Sequence, residues 1–433
     1  MKNKTRAAKF KKYFLRIVSV CLTISVVTSC VGFSKAVGGE KSEPVVSLGR
    51  PITDSDFLHT RGKRIYNKNG DEVSLRGVNL GSWLIQESWI SPIDNSVDNI
   101  TTLEVLTERF GVEAAYEMLN TYADNWITAS DLDKIADMGF NCVRVPFWYR
   151  NFYYDDKGTK ILDDNGNWDF SRLDWVIDEC GKRGLYVILD LHGAPGYQNN
   201  KDHSGKVNSC GLFKLGKQAE EWRLLTIELW VEIAQRYSGN PVVAMYDLLN
   251  EPMCDVSSYI EKNNLSTVSL FDRLYKAIRE VDGDHIITME AIWRLYNLPA
   301  PWMMGWSNVV YQLHLYNNTD FGFRLLLFTA QLYPYNVPLY VGEFKSLGSA
   351  TWDTVLGNMN YWNYSWTLWT YKGTGWGAET SDWFLYGGNA QVDRVDILND
   401  SKEEILRKWG EKIKTENSFV STGNYENNIS SHL

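Results

Sequence analysis

Phe170-Ser171-Arg172-Leu173-Asp174-Trp175-Val176-Ile177-Asp178-Glu179-Cys180-Gly181-Lys182-Arg183-Gly184-Leu185-Tyr186-Val187-Ile188-Leu189-Asp190-Leu191-His192 is the stretch on which the fold turns. Phe170, Leu173, Val176, Ile177 and Cys180 recur at helical spacing, and Gly184 closes the segment. Tyr186–Leu191 then reads as a short apolar strand. Working outward, further candidate strands are Ser74–Leu80, Asn141–Val145, Val242–Leu249, Ile286–Glu290, Val309–Leu315, Leu339–Gly342 and Trp366–Thr370, which makes eight in all. Helical stripes lie between them. Trp222, Leu225, Trp230, Ile233 and Tyr237 form one, stopped by Ser238-Gly239-Asn240-Pro241, and Phe271, Leu274, Ile278 and Val281 form another, ended by Gly283. Such stripes cover a sheet rather than bind a ligand. Strand–helix alternation repeated eight times predicts the α/β class, as a single (β/α)8 TIM barrel rather than an open doubly wound sheet. No GxGxxG or GxxxxGK[ST] follows an early strand, which weakens dinucleotide and P-loop readings. A short N-terminal β-hairpin is expected over Ile65–Val73, turned at Asn69-Gly70.

With 433 residues, 44% hydrophobic and 22% charged, the chain has ordinary globular usage and room for one large barrel. Its oddity is 18 Trp and 24 Tyr. Most of these rings belong to a core, and a minority suit a cleft that takes sugars, whose apolar faces pack on flat rings. Residues 1–36 carry eight Lys/Arg and no acid, and the apolar run Ile17–Val27 is short for a membrane-spanning helix. That pattern reads as an export signal. Val27-Thr28-Ser29-Cys30 resembles a lipobox that would leave a lipidated Cys30. Ser34-Lys35-Ala36 offers an ordinary cleavage site instead, and both stay open. The expected organisation is a signal over 1–36, a linker over 37–55, the catalytic barrel over 56–416 and a polar, frayed tail over 417–433.

Cleavage before Cys30 removes seven cations and no acid, taking the net charge from −9 to −16. An acidic body argues against nucleic acid or an anionic membrane surface as partner; the only membrane link expected is the lipid anchor at Cys30. The protein is expected outside the cell or on its surface, as a monomer. Cys142, Cys180, Cys210 and Cys254 show no zinc-like CxxC spacing and read as buried free thiols, although an exported chain could pair two of them. No metal and no cofactor is expected.

In a barrel, residues just past the strand C-termini converge on one face. Here they are Arg144, His192, Asn250 with Glu251, Glu290, His314 with Tyr316, Glu343, and Trp369. Polar groups at the ends of apolar strands need partners or a task. Two carboxylates at the ends of the fourth and seventh strands, framed as Leu249-Asn250-Glu251-Pro252 and Val341-Gly342-Glu343-Phe344, suit glycoside hydrolysis. That reaction needs a proton delivered to the leaving oxygen and a second carboxylate facing the anomeric carbon.

At this point the chain resembles the family 5 glycoside hydrolases of the 4/7 barrel superfamily. Matching stretches are Arg76-Gly77-Val78-Asn79-Leu80-Gly81, Asn141-Cys142-Val143-Arg144-Val145-Pro146, Leu189-Asp190-Leu191-His192-Gly193-Ala194-Pro195-Gly196, Leu249-Asn250-Glu251-Pro252, His314-Leu315-Tyr316, Gly342-Glu343-Phe344 and Trp366-Thr367-Leu368-Trp369. The resemblance implies a retaining mechanism, with Glu251 as acid/base and Glu343 as nucleophile. It implies that Arg144 and Tyr316 hold Glu343, that Asn250 binds the sugar 2-hydroxyl, that His192 and His314 contact the sugar or the carboxylates, and that Trp369 floors the −1 subsite. Glu251 should then have a raised pKa, from apolar surroundings and the charge of Glu343.

Leu80-Gly81-Ser82-Trp83 with Glu87, and His192–Asn199 followed by Asp202 and Ser204-Gly205, look closer to the exo-β-1,3-glucanase branch than to endo-cellulases. Glu87 would bind hydroxyls at the end of the sugar chain; the alternative is a surface acid. Lys201 and Thr319 depart from that branch, standing where relatives tend to place aromatic rings, and the stretch between Glu343 and Trp369 is short. The expected substrate is therefore a β-glucan or its oligosaccharides, with β-1,3 linkage favoured. Endo-β-1,4-glucanase action and a transglycosylating β-glucosidase are the alternatives, and a non-catalytic carbohydrate-binding barrel is a remote one. A metal-dependent hydrolase would need an HxH-type cluster near the first strand, which this sequence lacks.

Overall fold

Eight parallel strands close on themselves in the computed structural model, which describes residues 44–252, 260–291, 298–316, 335–345 and 352–433, with backbone alone over 260–266. They are β1 (Arg76–Asn79), β2 (Cys142–Trp148), β3 (Tyr186–Gly193), β4 (Val243–Asp247), β5 (Ile286–Glu290), β6 (Val309–Leu315), β7 (Leu339–Phe344) and β8 (Ser365–Leu368). Each pairs with the next, and β8 pairs with β1 through Trp366↔Arg76, Thr367↔Gly77 and Leu368↔Val78. All eight strands read from the sequence are present. Their ends move by a few residues: β2 runs on through Pro146 to Trp148, and β4 stops at Asp247. Helices Ser171–Lys182, Lys217–Tyr237 and Ile260–Val281 follow β2, β3 and β4; of the first two predicted stripes Leu173, Val176, Ile177, Cys180, Trp230, Ile233 and Tyr237 are buried, while Trp222 and Leu225 are half-buried. Gly77 is required where β1 meets β2, since a Cβ there would stand 2.1 Å from the Cys142 carbonyl oxygen.

The hairpin forms as expected and is one strand larger. His59–Arg61 pairs antiparallel with Arg64–Tyr66, which pairs with Glu72–Val73, and Gly70 turns at φ +88°. Its Leu58, Ile65 and Val73 pack with Leu75, Tyr186, Ile188, Met245, Ile286 and Tyr340, so it plugs the end of the barrel where the strands begin. Ligand chemistry is thereby confined to the opposite mouth.

Two expectations are corrected. Residues 44–55 are not a free linker: Val45 bridges Val73, Ile52 N–H donates to the Gly181 carbonyl at 2.9 Å, and Arg50 pairs with Asp56 at 2.7 Å. Nor is the tail frayed. Phe419–Ser421 pairs with Tyr386–Gly388, Phe419 packs edge-on against Trp126, the Tyr425 hydroxyl donates to the Met138 carbonyl at 2.6 Å, and Ile429 is buried. Three apolar anchors suffice to dock a segment whose average composition is polar. Cys142 and Cys180 are buried free thiols, and Cys210 is buried; Cys254, Cys30 with its signal, and Thr319 lie outside the described residues. Among the described residues no helix is long and apolar enough to cross a membrane.

Candidate active site

Arg144, on β2, organises the barrel mouth. Its guanidinium is fully buried and reaches Glu343 Oε1 at 2.8 Å, Asp247 Oδ2 at 2.8 Å and Asp190 Oδ1 at 3.1 Å. It also donates to Asn79 Oδ1 at 3.1 Å and Asn250 Oδ1 at 2.9 Å. A planar fork with five donors matches that crowd of acceptors as an ammonium could not. Burial works against the cation, and the three carboxylates more than reverse it, holding Arg144 well above its ordinary value. Asp190 is pushed up to about 7 by burial, against the pull of Arg144.

Glu343 ends β7. Its second oxygen accepts from the Tyr316 hydroxyl at 2.8 Å, so both oxygens are held by donors, one from Arg144 and one from Tyr316. Gly342 precedes it because a Cβ would stand 2.0 Å from Gln312 Oε1, whose amide donates to Asp247 at 2.9 Å.

Glu251 follows β4 with φ +39°, a left-handed conformation costing a residue with a side chain about 1–3 kcal/mol. It is pinned on both sides: its N–H donates to Glu290 Oε2 at 2.5 Å, and its carbonyl accepts from Asn199 Nδ2 at 3.0 Å. Its side chain meets two histidines. His314 Nδ1 is 2.9 Å from Oε1, and His203 Nε2 is 3.2 Å from Oε2. The same His314 Nδ1 lies 3.4 Å from Glu343 Oε2. The two carboxylates therefore face one another with a single imidazole nitrogen in reach of both.

His314 thus contacts both carboxylates. His192 does not: its Nδ1 is 2.6 Å from Asp190 Oδ2, its Nε2 is 3.4 Å from Asn250 Nδ2, and its ring stacks on Trp369 at 5.4 Å and 12°. Burial holds His192 well below its ordinary pKa, hence neutral. Glu87 is not a surface acid. It is 6% exposed, accepts from Trp89 Nε1 at 2.7 Å, and is pushed up to about 8 by burial. It shares a cavity of about 380 Å³ with Glu251, Glu343, His192, Tyr316 and Trp369.

The expected direction for Glu251 is corrected. Burial lifts it, but hydrogen bonds from His203 and His314 outweigh burial and hold it well below the ordinary carboxylate range. Against the same burial, the surrounding carboxylates push His203 up to about 10 and His314 up to about 9. Glu290, 3.5 Å from His314 Nδ1, is pushed up to about 8 by burial against the pull of that imidazole. His203 and Asp247 are the site residues that sequence reasoning passed over. The available signals were weak: His203 sits between Asp202 and Ser204 in a loop, and Asp247, like Asp190, is an acid inside an otherwise apolar strand. The Trp89 and Trp383 rings, 5.1 Å apart, supply aromatic surface beside Lys201 in the cavity wall.

Glu251, Glu290 and His314 offer ligand atoms within 4.8 Å of one another, the geometry a metal ion could use. Those atoms are engaged with each other and with the Glu251 N–H. Chemically, the site can offer a carboxylate held by two donors and, across from it, a carboxylate able to trade a proton with imidazole.

A closed parallel barrel with paired acids at the ends of β4 and β7 defines a class of carbohydrate-active barrels, and comparison with known proteins narrows it. The model of the cellulase family, glycosyl hydrolase family 5, matches residues 105–375, and the chain belongs to that family. A β-xylosidase of Phanerodontia chrysosporium is 32% identical over 269 residues, 62% of this chain and 53% of that protein. A glucan 1,3-β-glucosidase of Candida oleophila is 31% identical over 296 residues, 64% of this chain and 66% of its own length. A probable glucan 1,3-β-glucosidase A of Emericella nidulans is 36% identical over 181 residues, covering 41% and 42%. The match thus spans about half the length of such relatives. The crystal structure of a rutinosidase from Aspergillus niger superposes with a TM-score of 0.54 at 17% identity, covering 70% of this chain and 90% of that one, and shares the fold.

Proposed function

We propose that this protein is a retaining β-glycoside hydrolase acting on β-glucan or β-glucan oligosaccharides, β-1,3-linked chains being favoured. Glu343 is the nucleophile and Glu251 the acid/base. The supporting observation is the pair of distances from His314 Nδ1, 2.9 Å to Glu251 and 3.4 Å to Glu343. The two oxygens can be no further apart than those lengths laid end to end. One imidazole nitrogen within reach of both acids supports a closely set pair, as direct attack by a carboxylate needs, rather than an inverting pair whose carboxyl groups stand roughly 6.5–9.5 Å apart to admit a water. Glu343, with both oxygens hydrogen-bonded, is oriented to attack the anomeric carbon as Glu251 protonates the departing oxygen. Glu251 then takes a proton from the water that releases the sugar. Asn250, fixed by Arg144, binds the 2-hydroxyl, Trp369 floors the sugar at the nucleophile, and His192 and Glu87 contact its hydroxyls. The activities of the relatives, a β-xylosidase and glucan 1,3-β-glucosidases, favour an aldose in β-linkage. The export pattern of residues 1–36 supports action outside the cell or at its surface, with Cys30 as a lipid anchor.

Glu251→Ala tests the assignment. With a dinitrophenyl β-glucoside, whose leaving group needs no proton, the first step survives, and azide restores turnover with a β-glycosyl azide as product. An α-azide rejects the double displacement. Sizing the products from laminarin, barley glucan, carboxymethylcellulose and aryl β-glucosides and β-xylosides then fixes linkage and sugar.

A further inference from the structure

His203 lies outside the motifs that define the family site, yet it is one of two imidazoles on Glu251. Its Nε2 is 3.2 Å from Glu251 Oε2 and, at the same time, 3.0 Å from Asn199 Nδ2. The orientation of the Asn199 amide is determined independently. Its Oδ1 accepts from the Lys201 N–H at 2.9 Å, and its Nδ2 donates to the Glu251 carbonyl at 3.0 Å, so nitrogen and oxygen cannot be exchanged. An amide N–H directed at Nε2 is a good contact for a bare nitrogen and a poor one for a protonated nitrogen. Glu251 Oε2 makes the opposite demand, because a carboxylate there wants a proton on Nε2. One proton therefore has two positions along a single short contact, and each is opposed by a neighbour.

We propose that His203 stores the acid/base proton of Glu251 and returns it across the Nε2···Oε2 contact, with Asn199 keeping the stored form from becoming a trap. This rests on the assignment of Glu251 as acid/base. In the transfer, the Nε2–H bond breaks, an Oε2–H bond forms, and the imidazole is left neutral with Nε2 accepting from Asn199. Glu251 then gives that proton to the departing sugar oxygen. In the second half-reaction it takes one from the attacking water and can return it to His203. Protons balance over the cycle, and no other reactant is needed.

The surroundings keep the proton on the pair. His203 is faced by Glu87 from the loop after β1, by Glu251 after β4 and by Glu343 from β7, with Asp202 its sequence neighbour. Against them stand two cations, His314 of β6, 2.9 Å from Glu251 Oε1 and held up to about 9, and Lys201 in the cavity wall, while the His192 ring of β3, 5.8 Å away, is neutral. A pair ringed by carboxylates loses its last proton at a higher pH than a lone Glu251 could. His203 is a positioning residue, since it acts through Glu251 and not on the sugar.

The test is the pH dependence of kcat/KM for His203→Gln, Asn199→Ala and the unmodified protein, on a phenyl and a dinitrophenyl β-glucoside. With the phenyl substrate, His203→Gln should move the basic limb down by at least about one pH unit, a tenfold loss at a fixed pH on that limb. Asn199→Ala, which removes the penalty on the stored proton, should move it up. The dinitrophenyl substrate should show neither shift. Limbs that stay in place, or equal losses on both substrates, overturn the relay. Should His203→Gln fail to fold, ¹⁵N shifts of His203 in the unmodified protein decide: a protonated ring at pH 7 supports storage, and a neutral one overturns it. Azide rescue of Glu251→Ala is independent of all these readouts. If rescue fails, the acid/base assignment falls; if it succeeds while the limbs stay fixed, only the relay does.

Discussion

Replacing Arg144 by Met keeps roughly the length of the side chain and removes the one cation shared by Asp190, Asp247 and Glu343. All four side chains are at most 7% exposed, so water cannot readily enter to solvate the acids left behind. Removing one partner of a buried ion pair typically costs about 3–5 kcal/mol. Three acids share this cation, so the upper end of that range is expected. The acids can relieve the cost by binding protons. Asp190 already stands near 7 with Arg144 present, and Asp247 is also raised by burial. Without the cation both hold protons to higher pH. A carboxyl whose folded pKa exceeds its unfolded value of about 4 makes stability fall as pH rises through that interval, because the folded state then binds more protons. The deficit of Arg144→Met against the unmodified protein should therefore be small near pH 5 and reach about 4–5 kcal/mol by pH 8. Urea unfolding followed by tryptophan fluorescence at both pH values measures it. A deficit below about 1 kcal/mol, or one unchanged across that range, would refute the claim that Arg144 neutralises the barrel mouth.

Tyr316→Phe removes one of the two donors on Glu343 and leaves the ring in place. A hydrogen bond to a charged group is worth about 1.5–3 kcal/mol, so kcat should fall roughly 10- to 150-fold with a smaller change in KM, as steady-state kinetics on an aryl β-glucoside would show. Lys372 is buried, donates to the Ile413 carbonyl and Thr415 Oγ1 at 2.9 and 3.0 Å, and is pushed down to about 8 by burial. Its folded pKa lies below its unfolded value, so the unfolded state binds more protons and stability gains up to roughly 3 kcal/mol between about pH 8 and 10.5. Lys372→Met should abolish that rise in urea unfolding curves. Deleting residues 422–433 uncovers the surface under Tyr425 and Ile429 and should lower the thermal midpoint by several degrees, whereas an unchanged midpoint would mean that the docked tail contributes nothing.

What the amino-acid sequence determined by itself is what depends on neighbours along the chain. The eight strands, the stripes of Ser171–Lys182 and Lys217–Tyr237, and the turn at Asn69-Gly70 all appear, because periodicity reports which face of an element is buried. Placing Arg144, Glu251, Glu343 and Tyr316 on one mouth also needed only strand order and the rule that parallel barrels present their strand C-termini together. Contacts between loops from different strands were a matter for the tertiary structure alone. His203 meets Glu251 across 48 positions of chain, Asp247 meets Arg144 across 103, and the tail reaches Met138 from Tyr425 across 287. The direction of the Glu251 shift reversed for that reason: an acid in an apolar pocket is raised, and an acid between two imidazoles is lowered. No local pattern records which of these a residue will meet, since closure of the barrel decides it.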